Sequence, residues 1–497
     1  MTIEPPRGIK MNMKGSYNNI TDPYLDAHPK APQFKKLLYG LCFFHALLQD
    51  RRRFGALGFN IRYEFTAGDL KCCMLQLETY LAKYDEVPYQ VLVNLFGHIN
   101  YGGRITDDWD RRCVLTTLMS IVNEGIMSDT FMLAPGSDCY ASPADTSVAG
   151  YLESIGDFPL NPHPNVFGLH ANADITCAQN ETQELCDIML SLQPKVSTGG
   201  GKSREEVIAE VAAGLQARDL KPFPMDEIAA RYPLSYEQSM NTVLSQECIR
   251  YNRLIRVYNK SLADLLKALK GLIVMSAELE AMATSLYSNQ VPAMWAKVAY
   301  PSLKPLAAWV DDLARRIEFL QSWDRGGPPP AYWISGFFFP QAFLTGTLQN
   351  YARKHKVAID TVSFAFHVMA QEPNSVAEAP EDGCYVFGMF LEGAVWDPDA
   401  CLLAEARPKE LYSVFPMLWL KPEVDRKPPT SGVYSCPLYK TTTRAGTLST
   451  TGHSTNFVLM IELPSDKPCS GTFSRYAETF SAHWIGRAVA LFTTLTY

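Results

Sequence analysis

The chain has 497 residues, enough for two to four domains with separate cores, and at 47% hydrophobic and 20% charged it has the composition of a globular protein. Its formal net charge is −7 and its Lys and Arg residues are scattered, which argues against a dedicated nucleic-acid or anionic-membrane surface, because both want clustered positive charge. No apolar run approaches the ~18–20 residues of a membrane-spanning helix. The N-terminus has no secretory apolar core, and the twelve cysteines are dispersed without any C-x-x-C pair. Together these features predict a cytosolic protein with free, mostly buried thiols and no zinc site.

The first thirty residues are rich in Pro, Gly and Asn and read as a loop or the tail of a preceding unit. From Phe34 the pattern turns helical, with Phe34, Leu38, Leu41, Phe44 or His45, and Leu48 on one face. The basic run Arg51, Arg52, Arg53 sits at its end, where the helix dipole favours cations. A second helix is predicted from Asp69, striped by Leu70, Cys73, Leu77 and Leu81, with the vicinal Cys72 and Cys73 on different faces. A third follows Pro88. A fourth begins after Tyr101-Gly-Gly-Arg104, with Asp107, Asp108 and Asp110 near its start and Leu115, Leu118 and Val122 on its apolar face. Residues 130–175 are loop-rich, with a short helical piece near 148–155.

The run Val196-Ser-Thr-Gly-Gly-Gly-Lys-Ser203 divides the chain. The longest helical pattern follows it, with Leu244, Tyr251, Tyr258, Leu265, Leu272, Leu279 and Leu286 every seven residues and Cys248, Ile255, Leu262 and Leu269 beside them. Either an intermolecular coiled coil or long helices packed within one domain fits this stripe. The second is favoured, because the seam lacks charged flanks on both sides and more globular sequence soon follows; the stripe weakens around Ser276 and Ala283, and Gly271 can mark a bend. A helix is predicted over 344–354. Beyond Asp360, short apolar runs at 361–369, 384–391, 413–420, 433–439, 457–463 and 484–492 predict strands of a β-barrel or sandwich.

Four features invite a chemical reading. Gly199-Gly-Gly-Lys-Ser203 ends like a phosphate-binding loop, but Val196 stands where the first glycine belongs and no strand precedes it. Ser203-Arg-Glu-Glu206 is instead a capping box, so the run reads as a joint leading into a capped helix. Asp107, Asp108 and Asp110 read as helix-opening carboxylates rather than a cation site, there being no EF-hand spacing. His170 reads as a turn histidine, without the G-x-S-x-G or H-E-x-x-H context of catalysis. Thr450-Thr-Gly-His-Ser-Thr-Asn456 reads as a loop bonding its own backbone, although a binding loop would look similar. No catalytic, cofactor-binding or metal-ligating residue is assigned. The residues alone stop at two helical regions and a β-rich end.

Several stretches resemble dynein heavy chains. Pro6-Arg-Gly-Ile-Lys-Met-Asn-Met13 is similar to the end of the large subdomain of the sixth AAA module. Tyr39-Gly-Leu-Cys-Phe-Phe-His-Ala46, Asn100-Tyr-Gly-Gly-Arg-Ile-Thr-Asp-Asp-Trp-Asp-Arg-Arg112 and Phe167-Gly-Leu-His-Ala-Asn-Ala-Asp174 resemble that module's lid. Val291-Pro292 with Trp295, Pro301-Ser-Leu-Lys-Pro305, Trp333-Ile-Ser-Gly-Phe-Phe-Phe-Pro-Gln341 and Leu348-Gln-Asn-Tyr-Ala-Arg353 resemble the family's C-terminal domain. The Phe-Phe-His and Thr-Asp-Asp-Trp-Asp versions are similar to ciliary rather than cytoplasmic members. One departure lies near the end: residues 469–481 are interposed before His483-Trp-Ile485, and Arg487-Ala488 stands where the family tends to have Arg-Gly. That places the geometry of the final barrel strand in question.

The resemblance implies an α+β multidomain protein. Residues 1–32 would end the large subdomain, 33–176 form the helical lid and 177–204 a linker. Residues 205–330 would then be the helical part of the C-terminal domain and 331–497 its β-barrel part. It implies a non-hydrolytic portion that caps or regulates the AAA ring of an ATP-driven, minus-end-directed microtubule motor, in the cytoplasm and the axoneme of a cilium or flagellum. ATP and Mg would be bound by upstream modules, with no cofactor in this portion. Partners would be the rest of the ring and, through parts outside these residues, intermediate, light intermediate and light chains, with microtubules reached indirectly. The 497 residues are then expected to be a fragment, a truncated gene product or one piece of a split heavy chain. The alternative is a stand-alone scaffold derived from a dynein end. An ATP-binding enzyme using 199–203 is the weakest reading.

Overall fold

A computed structural model of the protein describes residues 7–134, 137–192, 203–446, 455–467 and 481–497. They fall into two compact units: Met1–Asp187 with Glu405–Leu411 and Asp466–Val489, and Ile188–Ala404 with Tyr412–Ser465 and Ala490–Tyr497. The combination of a helical first part and a mixed second part is the α+β organisation the patterns predict.

Unit 1 carries α1 (Ile9–Tyr17), α2 (Asp22–Asp26), α3 (Ala31–Arg51), α4 (Ala67–Lys83), α5 (Tyr89–Val93), α6 (Asp108–Ile121), α7 (Val148–Gly156) and α8 (Ala173–Leu192) up to Asp187. α3 is the axis of its core. The one-faced stripe predicted there is too narrow a description, because Phe34 through Leu48 are buried without interruption. A helix buried on every side, its few polar residues included, belongs inside a bundle, and α1, α4 and α6 all pack on it. α4 keeps the predicted stripe, burying Leu70, Cys73, Leu77 and Leu81 while Cys72 is exposed. Thr66 and Asp69 close a capping box at its start. Residues 177–192, expected as linker, continue α8, and 193–202 lie outside the described residues.

In unit 2, α9 (Arg204–Gln216) begins at the predicted capping box: Ser203 Oγ accepts from Glu206 N (3.2 Å) and Glu206 accepts from Ser203 N (2.8 Å). Then come α10 (Met225–Arg231), α11 (Ser239–Leu269), α12 (Ala277–Tyr287), α13 (Ala293–Ala296), α14 (Leu306–Gly326), β1 (Ala331–Trp333) and α15 (Pro340–His355). The heptad residues Leu244, Cys248, Tyr251, Ile255, Tyr258, Leu262 and Leu265 are all fully buried, packed within the unit against α9, α10 and α15. The intradomain reading therefore holds for this half. The stripe does not continue as one helix. Gly271, at φ +70°, ends α11, Leu272 is exposed, and Ser276 caps α12 by accepting from Leu279 N (3.2 Å).

Ten further strands follow: β2 (Val362–Val368), β3 (Cys384–Phe387), β4 (Met389–Glu392), β5 (Ala394–Asp397), β6 (Leu402–Glu405), β7 (Tyr412–Phe415), β8 (Leu418–Val424), β9 (Val433–Tyr439), β10 (Phe457–Pro464) and, after α16 (Ala482–Gly486), β11 (Ala490–Phe492). They make three open sheets, ordered β1-β3-β8-β2, β10-β9-β11-β4-β7 and β5-β6. Among the described residues no sheet closes on itself, so the predicted barrel stands here as open sheets. β11 is a regular interior strand, antiparallel to β4 and parallel to β9.

The strand predicted over 484–492 is corrected. Its first half is helix α16, with Trp484 and Ile485 buried, and only Ala490–Phe492 is strand. The turn between α16 and β11 holds Ala488 at φ +55°. Left-handed backbone costs a Cβ-bearing residue about 1–2 kcal/mol, so the Arg-Ala departure falls where glycine fits better. Ala488→Gly should therefore raise stability by about 0.5–1 kcal/mol after the extra freedom glycine gives the unfolded state. A urea midpoint that rises with unchanged slope would show it, and an unchanged or lower midpoint would refute it.

Candidate functional site: a carbonyl cradle in unit 1

α3 ends on Arg51, which the sequence places as a dipole partner and the structure places in the core, 1% exposed. Its guanidinium donates from Nε to the carbonyl of Gly58 (2.8 Å), from Nη1 to that of Phe167, and from Nη2 to that of Gly486 (3.3 Å). A planar fork with five N–H groups can serve three carbonyls that point from different directions. Arg53 lies over the rings of Phe54 and Phe167 (4.6 and 5.5 Å) and donates to Pro162 O (2.9 Å).

The stretch Phe167-Gly-Leu-His-Ala-Asn172 is the other wall. Arg487 Nη1 donates to the carbonyls of Leu169 (2.7 Å) and Gly168 (3.1 Å), while its Nε donates to Glu405 Oε2 (3.1 Å). Glu405 Oε1 also meets His483 Nε2. Burial lowers the His483 ring below its ordinary value, with Glu405 opposing that shift. Asn172 holds the segment 405–411 by its backbone: Nδ2 donates to Arg407 O (2.9 Å) and Glu410 O (3.0 Å), and Oδ1 accepts from Lys409 N (2.8 Å). Gly168 sits at φ +79°, and a Cβ there would stand 3.1 Å from Gly486 Cα. The backbones approach as only glycine permits.

His170 is a turn histidine, accepting from Asn172 N at Nδ1 (3.2 Å); burial and the Arg487 charge hold its ring below the ordinary value. The three aspartates are structural. Asp107 caps α6, accepting from Trp109 N and Asp110 N (both 3.0 Å), and Asp110 accepts from Asn60 N (2.7 Å) and Ile61 N (3.1 Å). Burial, helped by the Asp107 charge, pushes the Asp110 carboxyl up to about 7, against the pull of those two amides. Asp108 lies in the first turn of α6. Among the described residues no group of three or more His, Cys, Asp or Glu could hold a metal ion. Of the glycine run, 199–202 lie outside the described residues, as do 450–454 and 469–480. Asn456, at the end of the predicted loop, bonds back to Thr441: Oδ1 accepts from Thr441 N (3.1 Å) and Nδ2 donates to Thr441 O (3.2 Å).

Unit 2 buries a second polar centre under the Trp333–Gln341 stretch. Glu247 on α11 accepts from the amides of Phe338 and Phe339 and pairs with Arg250 (3.1 Å). Tyr251 OH donates to Gly336 O (2.9 Å), and Ser335 Oγ donates to Gly388 O (2.8 Å). Neither centre presents a nucleophile with a base. Both bind main chain, so their chemistry is that of fixing segments in place. The sequence reading missed Arg51, Asn172, Glu405 and Glu247 in these roles. A charged residue in the middle or at the end of an all-apolar helix face was the available signal for Arg51 and Glu247.

The AAA lid domain of dynein heavy chains matches residues 34–173, and the C-terminal domain of dynein heavy chains matches residues 179–493. The protein belongs to the dynein heavy chain family. It is 52% identical over 497 residues to dynein axonemal heavy chain 1 of Rattus norvegicus, a match spanning 100% of this sequence and 11% of that one. It is 47% identical over 493 residues to dynein axonemal heavy chain 3 of Mus musculus, spanning 99% of this sequence and 12% of that one. With dynein axonemal heavy chain 12 of Homo sapiens it shares 42% over 503 residues, spanning 100% and 16%. The 497 residues thus span between 11% and 16% of the length of these relatives. The carbonyl cradle gives the matched lid stretch Phe167–Ala173 a physical role, since its main chain receives Arg51 and Arg487 and its Asn172 holds 405–411.

Proposed function

We propose that these residues form the non-hydrolytic closing portion of an axonemal dynein heavy chain, completing and regulating the AAA ring of an ATP-driven, minus-end-directed microtubule motor. The observation that carries the reading is the succession of lid and C-terminal matches over 34–173 and 179–493, with axonemal heavy chains similar over the whole sequence. In this reading ATP and Mg belong to upstream modules. The partners are the rest of the ring and the intermediate, light intermediate and light chains of the complex, and the place of action is the ciliary or flagellar axoneme. A stand-alone scaffold is less favoured, because the relatives named are motor heavy chains.

The purified 497-residue protein is expected to turn over no ATP, and Lys202→Ala to change nothing. Phosphate release above background that Lys202→Ala abolishes would overturn the reading and restore the 199–203 run as a nucleotide loop.

A further inference from the structure

A cavity of about 770 Å³ opens in unit 2 between the turn that precedes α11 and the C-terminal end of α15. The hydrogen bonds of its wall run in one direction. Arg353 Nη1 donates to Ser239 Oγ (2.6 Å), and a guanidinium can only donate. The Ser239 hydroxyl therefore turns its own proton to Gln349 Oε1 (2.8 Å), while Asn350 Oδ1 accepts from Ser239 N (2.9 Å). With both amide oxygens used on Ser239, the lining is left with the amide NH2 groups of Gln349 and Asn350 and the remaining N–H groups of Arg353. All of these are donors.

Charge has the same sign. Lys354 is bound by Asp382 (2.7 Å), but among the described residues no carboxylate pairs with Arg353 or Lys356. In a sequence of formal charge −7 this is a local excess of cation. Fixed donors beside unpaired cations suit a phosphate group, whose oxygens accept. The Arg353 guanidinium also lies over the Tyr236 ring at 4.1 Å, and Tyr236 is 77% exposed, so the second face of the ring is open to water. A ring backed in this way is a platform for a planar base, a contact that raises affinity by about tenfold or more. Glu237 stands at the rim, where its carboxylate disfavours a bare anion and accepts hydroxyl protons of the kind a ribose offers. The volume falls within the roughly 300–1,000 Å³ of small-molecule sites. We propose that this cavity binds a mononucleotide, its phosphate on Arg353 and Lys356 and its base on Tyr236. The site is inferred from unit 2 alone and does not rest on the motor reading.

Equilibrium dialysis of the 497-residue protein against AMP, ribose 5-phosphate, adenosine and inorganic phosphate tests it. AMP should bind at least about tenfold more tightly than each of the others, because it alone offers both the anion and the base. Lys356→Gln should weaken AMP and ribose 5-phosphate alike by about tenfold. Tyr236→Leu should weaken AMP by about tenfold and leave ribose 5-phosphate unchanged. Both side chains are exposed, so both variants should melt with the parent. An absence of AMP binding at millimolar concentration would overturn the proposal. So would equal affinity for AMP and inorganic phosphate, or AMP binding that Tyr236→Leu leaves intact. Tighter binding of a phosphotyrosine peptide than of AMP would overturn it as well, by assigning the cavity to a protein partner.

Discussion

Arg316→Leu should destabilise unit 2 by about 3–5 kcal/mol, the range for breaking a buried ion pair from one side. Arg316 and Asp312 lie one turn apart on α14 with side chains 3% and 5% exposed, joined by an Nε to Oδ2 bond of 2.6 Å. The guanidinium also lies over the Tyr300 ring at 3.8 Å, so leucine removes the ring contact and leaves the Asp312 carboxylate in the core. At about 2–4 °C per kcal/mol for a unit of this size, the melting temperature should fall by roughly 10 °C. The double change Arg316→Leu with Asp312→Leu separates the causes, because replacing both members of a buried pair by apolar residues is often neutral. Calorimetry should show the double variant recovering most of the loss. A single variant that melts within about 2 °C of the parent would mean the carboxylate finds water or another donor, and the buried-pair account would fail.

How much of the fold is legible in the residues depends on the range of the interaction. The α4 stripe, the Ser203 capping box and the first half of the heptad seam are local periodicities, and each is the element predicted. The α3 stripe understates its helix because tertiary packing buries the other faces too, and no single-helix periodicity reports how many neighbours a helix will have. Residues 484–492 defeat a strand reading because two units use them differently. Trp484 is buried in α16, Ala488 turns the backbone in the left-handed region, and Leu491 is an interior strand residue. β5 and β6 leave little pattern to read, being four-residue strands paired only with each other. The cradle is beyond reach for a different reason. Its ligands are backbone carbonyls at Gly58, Phe167 and Gly486, and a carbonyl's direction leaves no mark on residue type. Only its cations and the flanking Gly168 leave a trace.

Arg51→Met tests that cradle, and the expected loss is about 2–4 kcal/mol. The mechanism differs from that at Arg316, since the lost partners are main-chain carbonyls and no paired carboxylate is stranded. Each hydrogen bond to a charged group contributes about 1.5–3 kcal/mol, less what water or a relaxed neighbour restores. Methionine keeps an unbranched stem of similar apolar character, so the loss reports the bonds more than the packing. Arg51→Lys should rescue only part of it, because a single ammonium cannot face Gly58, Phe167 and Gly486 together. The loss should also be uneven. Amides of 481–489, held through Gly486 O and through Arg487 on Leu169, should exchange faster, while those of the α4 core around Leu77 follow only the global change. If the 481–489 amides keep their protection in a destabilised Arg51→Met variant, Arg51 supports the α3 terminus alone, and Arg487 with Glu405 is what retains the segment.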